Sequence, residues 1–275
     1  ALTDSGALYC WGSNWDGEVG DGTTIARTTP TRVGTRSDWT RVAVGGTHTC
    51  GLRGTGELYC WGKNYRRKSG DGTTIPHLAP YRVGTYSDWD DIDAASAVTW
   101  GIRGGGLYRW GFDWVDYGDD LVPEPFGGDN DWTHITTSSG HACGLRGSGD
   151  LYCWGDNYYG QLGSWGYYGD APHRVGSASD WTGVDAGGLS TCGMRAGTLF
   201  CWGMNHHGLL GDGTMNQRGE PQPIGVDDDW VEVAVGFYHT CGMRADGAAA
   251  CWGSPADGRL GIGGIGARTT PTPVD

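Results

Sequence analysis

The string Cys-Trp-Gly occurs five times, at Cys10, Cys60, Cys153, Cys201 and Cys251, and a sixth copy reads Arg109-Trp110-Gly111. Its tryptophans, Trp11, Trp61, Trp110, Trp154, Trp202 and Trp252, lie 50, 49, 44, 48 and 50 residues apart. A period near 50 marks a repeat architecture, in which each unit is one supersecondary element that buries its apolar face against its neighbours. The repeats run approximately over 11–60, 61–109, 110–153, 154–201 and 202–251, with 252–275 joined to 1–10 as a split sixth.

Each Trp-Gly is followed by a polar, glycine-rich stretch and then by an extended segment containing proline, such as Pro30-Thr31-Arg32-Val33. An Asp-Trp pair then opens a short alternating run, at Trp39, Trp89, Trp132, Trp181 and Trp230. Short alternating segments punctuated by Gly and Pro are strand signals, and no window sustains a helical period. With 53 glycines in 275 residues, long helices would be costly. About four short strands per unit match a propeller blade. The expectation is one all-β domain, 1–275: a β-propeller of about six blades, five complete and one split, or seven in a longer parent chain.

Residues 154–163 read Trp-Gly-Asp-Asn-Tyr-Tyr-Gly-Gln-Leu-Gly, and residues 45–50 read Gly-Gly-Thr-His-Thr-Cys. This pattern resembles the regulator of chromosome condensation repeat family, whose blades carry Gly-X-X-His near one strand and Trp-Gly-X-Asn-X-X-Gly-Gln-Leu-Gly after another. The resemblance covers almost the whole chain and implies the propeller fold. It does not fix a function, because members act as nucleotide exchange factors, a plant ultraviolet-B photoreceptor, a secreted β-lactamase inhibitor and receptor ectodomains.

The net charge of −13 argues against nucleic acid as a partner, since a phosphate backbone needs a basic face. The basic cluster Arg66-Arg67-Lys68 reads as a solvated loop tip. No apolar run approaches the ~18 residues of a membrane span, so no membrane insertion is expected. No signal-peptide pattern stands at the start, as in a mature secreted chain.

Eight of the nine cysteines pair across a glycine turn: Cys50 with Cys60, Cys143 with Cys153, Cys192 with Cys201, and Cys241 with Cys251. Such residues sit opposite one another in a hairpin, within disulfide reach. Close Cys-X-X-Cys knuckles are missing, so no metal or other cofactor is expected. Disulfides place the protein in an oxidising compartment, secreted, extracellular or periplasmic. Cys10 lacks its partner, which would stand one position before Ala1, and is either a free thiol or half of an intermolecular bridge. Residues 252–275 and 1–10 supply only 34 residues of the split unit. A trimmed parent chain, an imperfectly closed six-bladed ring and a strand lent by a neighbouring subunit all fit this shortfall.

For function, His48, His141 and His239 recur at one repeat position, which favours an imidazole bonded to nearby backbone over catalysis. No nucleophile elbow, P-loop or zinc-binding His-Glu-X-X-His is present, so the chain is expected not to be an enzyme. The Asp-Gly-Thr motifs at Asp21, Asp71 and Asp212 read as turns, and His206-His207 as a solvated pair. Trp100 and Arg109 replace one cystine, and a guanidinium on an indole can take over its role. Candidate binding residues come from loops that depart from the repeat: Trp15; Trp114 and Tyr117; and Tyr158, Tyr159, Trp165, Tyr167 and Tyr168. On one propeller face, with acidic neighbours, these would hold a protein partner. The alternatives are a structural subunit of an extracellular assembly, self-associating through the incomplete blade, and a lectin-like module stacking its aromatics on glycans.

Overall fold

The computed structural model describes residues 1–112, 119–166 and 168–274. The chain forms two compact units, Ala1–Ile135 and Thr136–Asp275. Unit 1 holds β1 (Tyr9–Gly12), β2 (Arg27–Arg32), β3 (Trp39–Val44), β4 (His48–Arg53), β5 (Glu57–Gly62), β6 (His77–Arg82), β7 (Trp89–Ala94), β8 (Val98–Arg103), β9 (Gly106–Phe112) and β10 (Asp119–Pro125). Unit 2 begins within β11 (Trp132–Thr137) and continues through β12 (His141–Arg146), β13 (Asp150–Gly155), β14 (Gly169–Arg174), β15 (Trp181–Gly187), β16 (Ser190–Arg195) and β17 (Thr198–Gly203). It ends with β18 (Arg218–Pro223), β19 (Trp230–Val235), β20 (His239–Arg244), β21 (Ala249–Gly253) and β22 (Arg268–Pro273).

Among the described residues these strands make five four-stranded sheets, β3–β6, β7–β10, β11–β14, β15–β18 and β19–β22, plus a two-stranded sheet, β1–β2. Consecutive strands pair antiparallel, which is the blade of an all-β propeller. The run that opens on the tryptophan of Asp-Trp forms the innermost strand of each four-stranded sheet, but its burial does not alternate as anticipated, and the ladder slips its register just after Trp39, Trp89, Trp181 and Trp230.

The core of a sheet is an edge-to-face tryptophan pair, one ring from the innermost strand and one from Trp-Gly. Trp39 and Trp61 have centroids 5.7 Å apart, Trp89 and Trp110 5.7 Å, Trp181 and Trp202 5.9 Å, and Trp230 and Trp252 6.0 Å. The glycine after each Trp-Gly tryptophan has positive φ, +96° at Gly62 and +102° at Gly253, and the ladder slips its register there. Only glycine takes that conformation without strain, which is why the dipeptide recurs intact. The outermost strands carry Pro30, Pro80, Pro123, Pro172, Pro221 and Pro271, which remove a donor from an edge that would otherwise pair with another sheet.

One hydrogen-bond staple joins successive blades inside each unit. The Trp61 indole N–H donates to Glu18 O at 2.9 Å, and Thr49 Oγ1 donates to the same oxygen at 2.9 Å. Trp110 and Thr99 do the same to Lys68 O, Trp202 and Thr191 to Gln161 O, and Trp252 and Thr240 to Leu209 O. These threonines explain the histidines. His48 Nε2 lies 2.8 Å from Thr99 Oγ1, and His141 Nε2 lies 2.8 Å from Thr191 Oγ1. Each threonine already donates its hydrogen to a carbonyl, so Nε2 is the donor. The partner is thus a hydroxyl of the next blade, not the nearby backbone anticipated from the sequence. Burial holds His48 down to about 3, helped by the Lys68 charge, and burial alone holds His141 there.

Candidate functional site

In an antiparallel four-stranded sheet, the turn between the first two strands and the loop between the last two emerge at the same end. That geometry decides which exceptional residues can act together within a unit.

In unit 1 most of these loops are internally saturated. Asn14 Nδ2 donates to Asp21 Oδ1 (3.3 Å) and to Thr23 O (3.0 Å), while its Oδ1 accepts from Val19 N (2.9 Å). Arg27 Nε donates to Asp21 Oδ2 at 2.6 Å. Burial alone would raise Asp21, but hydrogen bonds from Thr23 and Arg27 hold its carboxyl below the usual range. The same cradle recurs at Asn64, Asp71 and His77, and at Asn205, Asp212 and Arg218. The Asp-Gly-Thr loops are therefore structural turns. Trp15 projects from the first of them and is 82 % exposed.

Lys68 departs from the expected solvated tip. It is buried, and Nζ donates to Thr47 Oγ1 at 2.5 Å and to Ser96 O at 2.9 Å. Burial, reinforced by Lys63, pushes it down to about 8. Arg66 remains with the aromatics, its guanidinium 4.4 Å from the Phe112 ring centre. Trp114 and Tyr117 lie outside the described residues, as does Tyr167 of unit 2.

Among the described residues, unit 2 holds the larger aromatic group. Loop 156–168 anchors on Asn157, whose Nδ2 donates to Ser164 O at 2.6 Å and whose Oδ1 accepts from Leu162 N at 2.9 Å. Tyr158, 75 % exposed, meets Tyr159 edge-on at 4.9 Å, and Tyr159 meets His206 at 6.0 Å. Beside His206, His207 meets Tyr238 at 6.4 Å, and Tyr238 meets Phe237 at 4.6 Å. The Arg259 guanidinium lies 5.6 Å from the Tyr238 ring centre. Trp165 lies flat on Gly219 of β18, where a Cβ would fall 2.0 Å from Trp165 Cε2, so one indole face is packed and the residue stays half exposed. Tyr168 is exposed as well.

Phe237, Tyr238 and the two histidines were not singled out as binding residues by sequence. The signal was present: Phe237 and Tyr238 fill the two variable places of Gly-X-X-His, which Gly46 and Thr47 fill in the first copy. The arrangement offers ring faces and edges, and no group of three metal-binding side chains occurs among the described residues. No helix there is long and apolar enough to cross a membrane.

The cysteines bond as Cys50–Cys60, Cys143–Cys153, Cys192–Cys201 and Cys241–Cys251, each with Cα atoms 4.1 Å apart; Cys10 is a half-buried free thiol. Four disulfides are consistent with an oxidising compartment. At the fifth register Trp100 faces Arg109, whose guanidinium lies 5.8 Å from the Trp100 ring and 5.3 Å from that of Phe126.

The regulator of chromosome condensation (RCC1) repeat profile matches residues 5–52, 148–194 and 196–243, and a second profile of that repeat matches 39–67, 132–161 and 230–259. No curated protein matches in sequence. Among solved structures the chain is similar to human WBSCR16, at 18% identity and a TM-score of 0.84, covering 97% of this chain and 76% of that one. It is similar to yeast RCC1 (Prp20), solved bound to Kap60, at 18% identity and 0.85, covering 100% and 73%. It also resembles the ectodomain of the Physcomitrella patens receptor kinase CR4, at 23% identity and 0.57, covering 92% and 59%. At these identities the likeness concerns the fold.

Proposed function

The chain belongs to the RCC1 repeat family, and from that premise we propose that it is a secreted, non-enzymatic binding module that holds a protein partner on the loop end of unit 2. The observation that carries this reading is the connected aromatic group running from Tyr158 through Tyr159, His206, His207 and Tyr238 to Phe237, with Trp165 and Tyr168 in the same loop system. Large rings held by their neighbours and open to solvent give contact area at little entropic cost, the pattern of interface anchors. Yeast RCC1, solved bound to Kap60, is a protein of this fold with a protein partner. The four disulfides support the extracellular setting.

Photo-crosslinking tests the assignment. A benzophenone side chain at position 158 or 238 captures a protein from the source organism's extracellular fluid, while one at Val226, at the opposite end of unit 2, captures none. Capture from 226 alone, or hits on a glycan array in place of a captured protein, defeats the reading. A captured GTPase that releases nucleotide faster in the presence of this protein would replace binding by exchange.

A further inference from the structure

Many aromatic rings in this chain are met by one of its own cations. A guanidinium carbon lies 4.5 Å from the Tyr59 ring centre (Arg53), 3.5 Å from that of Tyr86 (Arg103), 5.3 Å from that of Trp181 (Arg195) and 4.5 Å from that of Trp230 (Arg244). The exposed Tyr65 is met by Lys63 at 5.1 Å and by Arg66 at 5.6 Å. At the loop end of unit 2, Arg259 meets Tyr238, but among the described residues no cation meets Tyr158, Tyr159 or Phe237.

Two copies of one loop account for the difference. Residues 61–65 read Trp-Gly-Lys-Asn-Tyr, and residues 154–158 read Trp-Gly-Asp-Asn-Tyr. Their backbones follow one plan. Lys63 N donates to Thr47 O at 2.9 Å, as Asp156 N does to Gly140 O at 2.8 Å. Asn64 Oδ1 accepts from Ser69 N at 3.0 Å, as Asn157 Oδ1 does from Leu162 N at 2.9 Å. In unit 1 the seat over Tyr65 is filled by the Lys63 ammonium, which Asp16 Oδ2 neutralises at 3.3 Å. In unit 2 the ring keeps its place as Tyr158, while the cation's place passes to a carboxylate, Asp156.

Asp156 has room because residue 140 is glycine. A Cβ there would fall 2.5 Å from Asp156 Oδ2, and the first copy of the repeat has Thr47 at that position. Among the described residues no ion pair or hydrogen bond reaches the Asp156 carboxyl, and desolvation holds it above the usual carboxylate range. A carboxylate without a counterion, beside a ring without one, is the complement of a cation.

We infer that Asp156 and Tyr158 form a seat for an arginine side chain of the protein partner, stacked on the tyrosine and paired with the carboxylate, which rests on the reading of this loop end as the partner-binding surface. A guanidinium fits better than an ammonium because its donors lie in one plane: it pairs with a carboxylate through two N–H groups while its face stays on a ring.

The test titrates nitrogen-15-labelled protein with acetyl-Gly-Arg-Gly-Arg-Gly amide and with the same peptide carrying citrulline, which keeps the shape and loses the charge. Amide shifts at Asp156, Tyr158 and Tyr159 are expected to saturate with the arginine peptide and to need about tenfold more of the citrulline peptide. Asp156→Asn and Tyr158→Leu should each weaken arginine binding about fivefold with Tm unchanged, because both side chains are exposed. Equal binding of the two peptides, shifts confined to other loops, or full affinity in Asp156→Asn overturns the inference. Photo-crosslinking keeps the two claims apart. A protein captured from position 238 whose affinity is indifferent to Asp156→Asn sinks the arginine seat alone. No capture from 158 or 238 sinks the binding surface, whatever the peptides do.

Discussion

At one register the sheet β3–β6 places Cys50 opposite Cys60, whereas its neighbour β7–β10 places Trp100 opposite Arg109. The exchange is not confined to the pair. Phe126 stands where the first sheet has Val83, each donating its N–H to the corresponding leucine carbonyl, and Val98 stands where the first has His48. Trp100 and Phe126 meet edge-on at 4.9 Å, with Arg109 over both rings and its Nη2 3.5 Å from Asp120 Oδ2. One sheet is held at this level by a covalent bond, which acts chiefly by restricting the unfolded chain. The other relies on buried aromatic area, which acts in the folded state. Blades with one backbone plan therefore respond to different insults.

The contrast can be broken first at its largest expected effect. Trp100→Ala removes a fully packed indole with no covalent link beside it, and urea unfolding is expected to show a loss of about 3–5 kcal/mol. A loss no greater than that from truncating the exposed Trp15 would mean the aromatic packing does not substitute for a cystine. Next, replacing Cys50 and Cys60 together by alanine opens a short loop and lowers stability by about 2.5 kcal/mol in chain-entropy terms, read as a fall in Tm by calorimetry. Dithiothreitol should reproduce that loosening in β4–β5 while leaving amide exchange in β8–β9 unchanged.

Acid sharpens the comparison through the histidines. His48 and His141 sit at about 3 in the folded protein, against 6.5 when unfolded, so the unfolded chain binds more protons between those values. Stability is then flat above about 6.5 and falls as pH drops toward 3, by at most about 1.4 kcal/mol per pH unit for each histidine. His48→Val, which copies Val98, should remove one histidine's share of the slope measured by urea unfolding from pH 7.5 to 4.5; an unchanged slope would show that His48 is not buried neutral. The smallest effect is at Arg109→Gln, where losing a cation over two rings should cost about 1 kcal/mol by the same assay. No loss there would leave Trp100 and Phe126 as the whole substitute.

The repeat was legible in the sequence because its residues answer to backbone geometry common to every blade. Gly62 must take positive φ, and Trp61 must reach the preceding loop's carbonyl, so both recur with little variation. What stayed hidden was single-copy. Lys68 looks like part of a basic loop, yet its ammonium is satisfied by Thr47 and Ser96, far away in the chain. Phe126 gains meaning only beside Trp100, and the pair His206-His207 only between Tyr159 and Tyr238. Neighbours of that kind are set by packing between blades, which no local spacing reports. Of the candidate binding loops, Tyr158, Tyr159, Trp165 and Tyr168 were visible as departures from the repeat, while Phe237 and Tyr238 lay inside a motif read as uniform.

The staple in which a tryptophan and a threonine share one carbonyl of the preceding loop has a consequence for how such a chain can grow. Each fifty-residue unit carries the donor half of the joint on one side and the acceptor half on the other, so a tandem duplication brings a complete new joint with it. A duplicated unit therefore arrives with its joint intact, and the loops between blades can diversify one at a time. The connecting chemistry is inherited by copying, which leaves selection free to work on surfaces such as the one that gathers Tyr158, His206 and Tyr238.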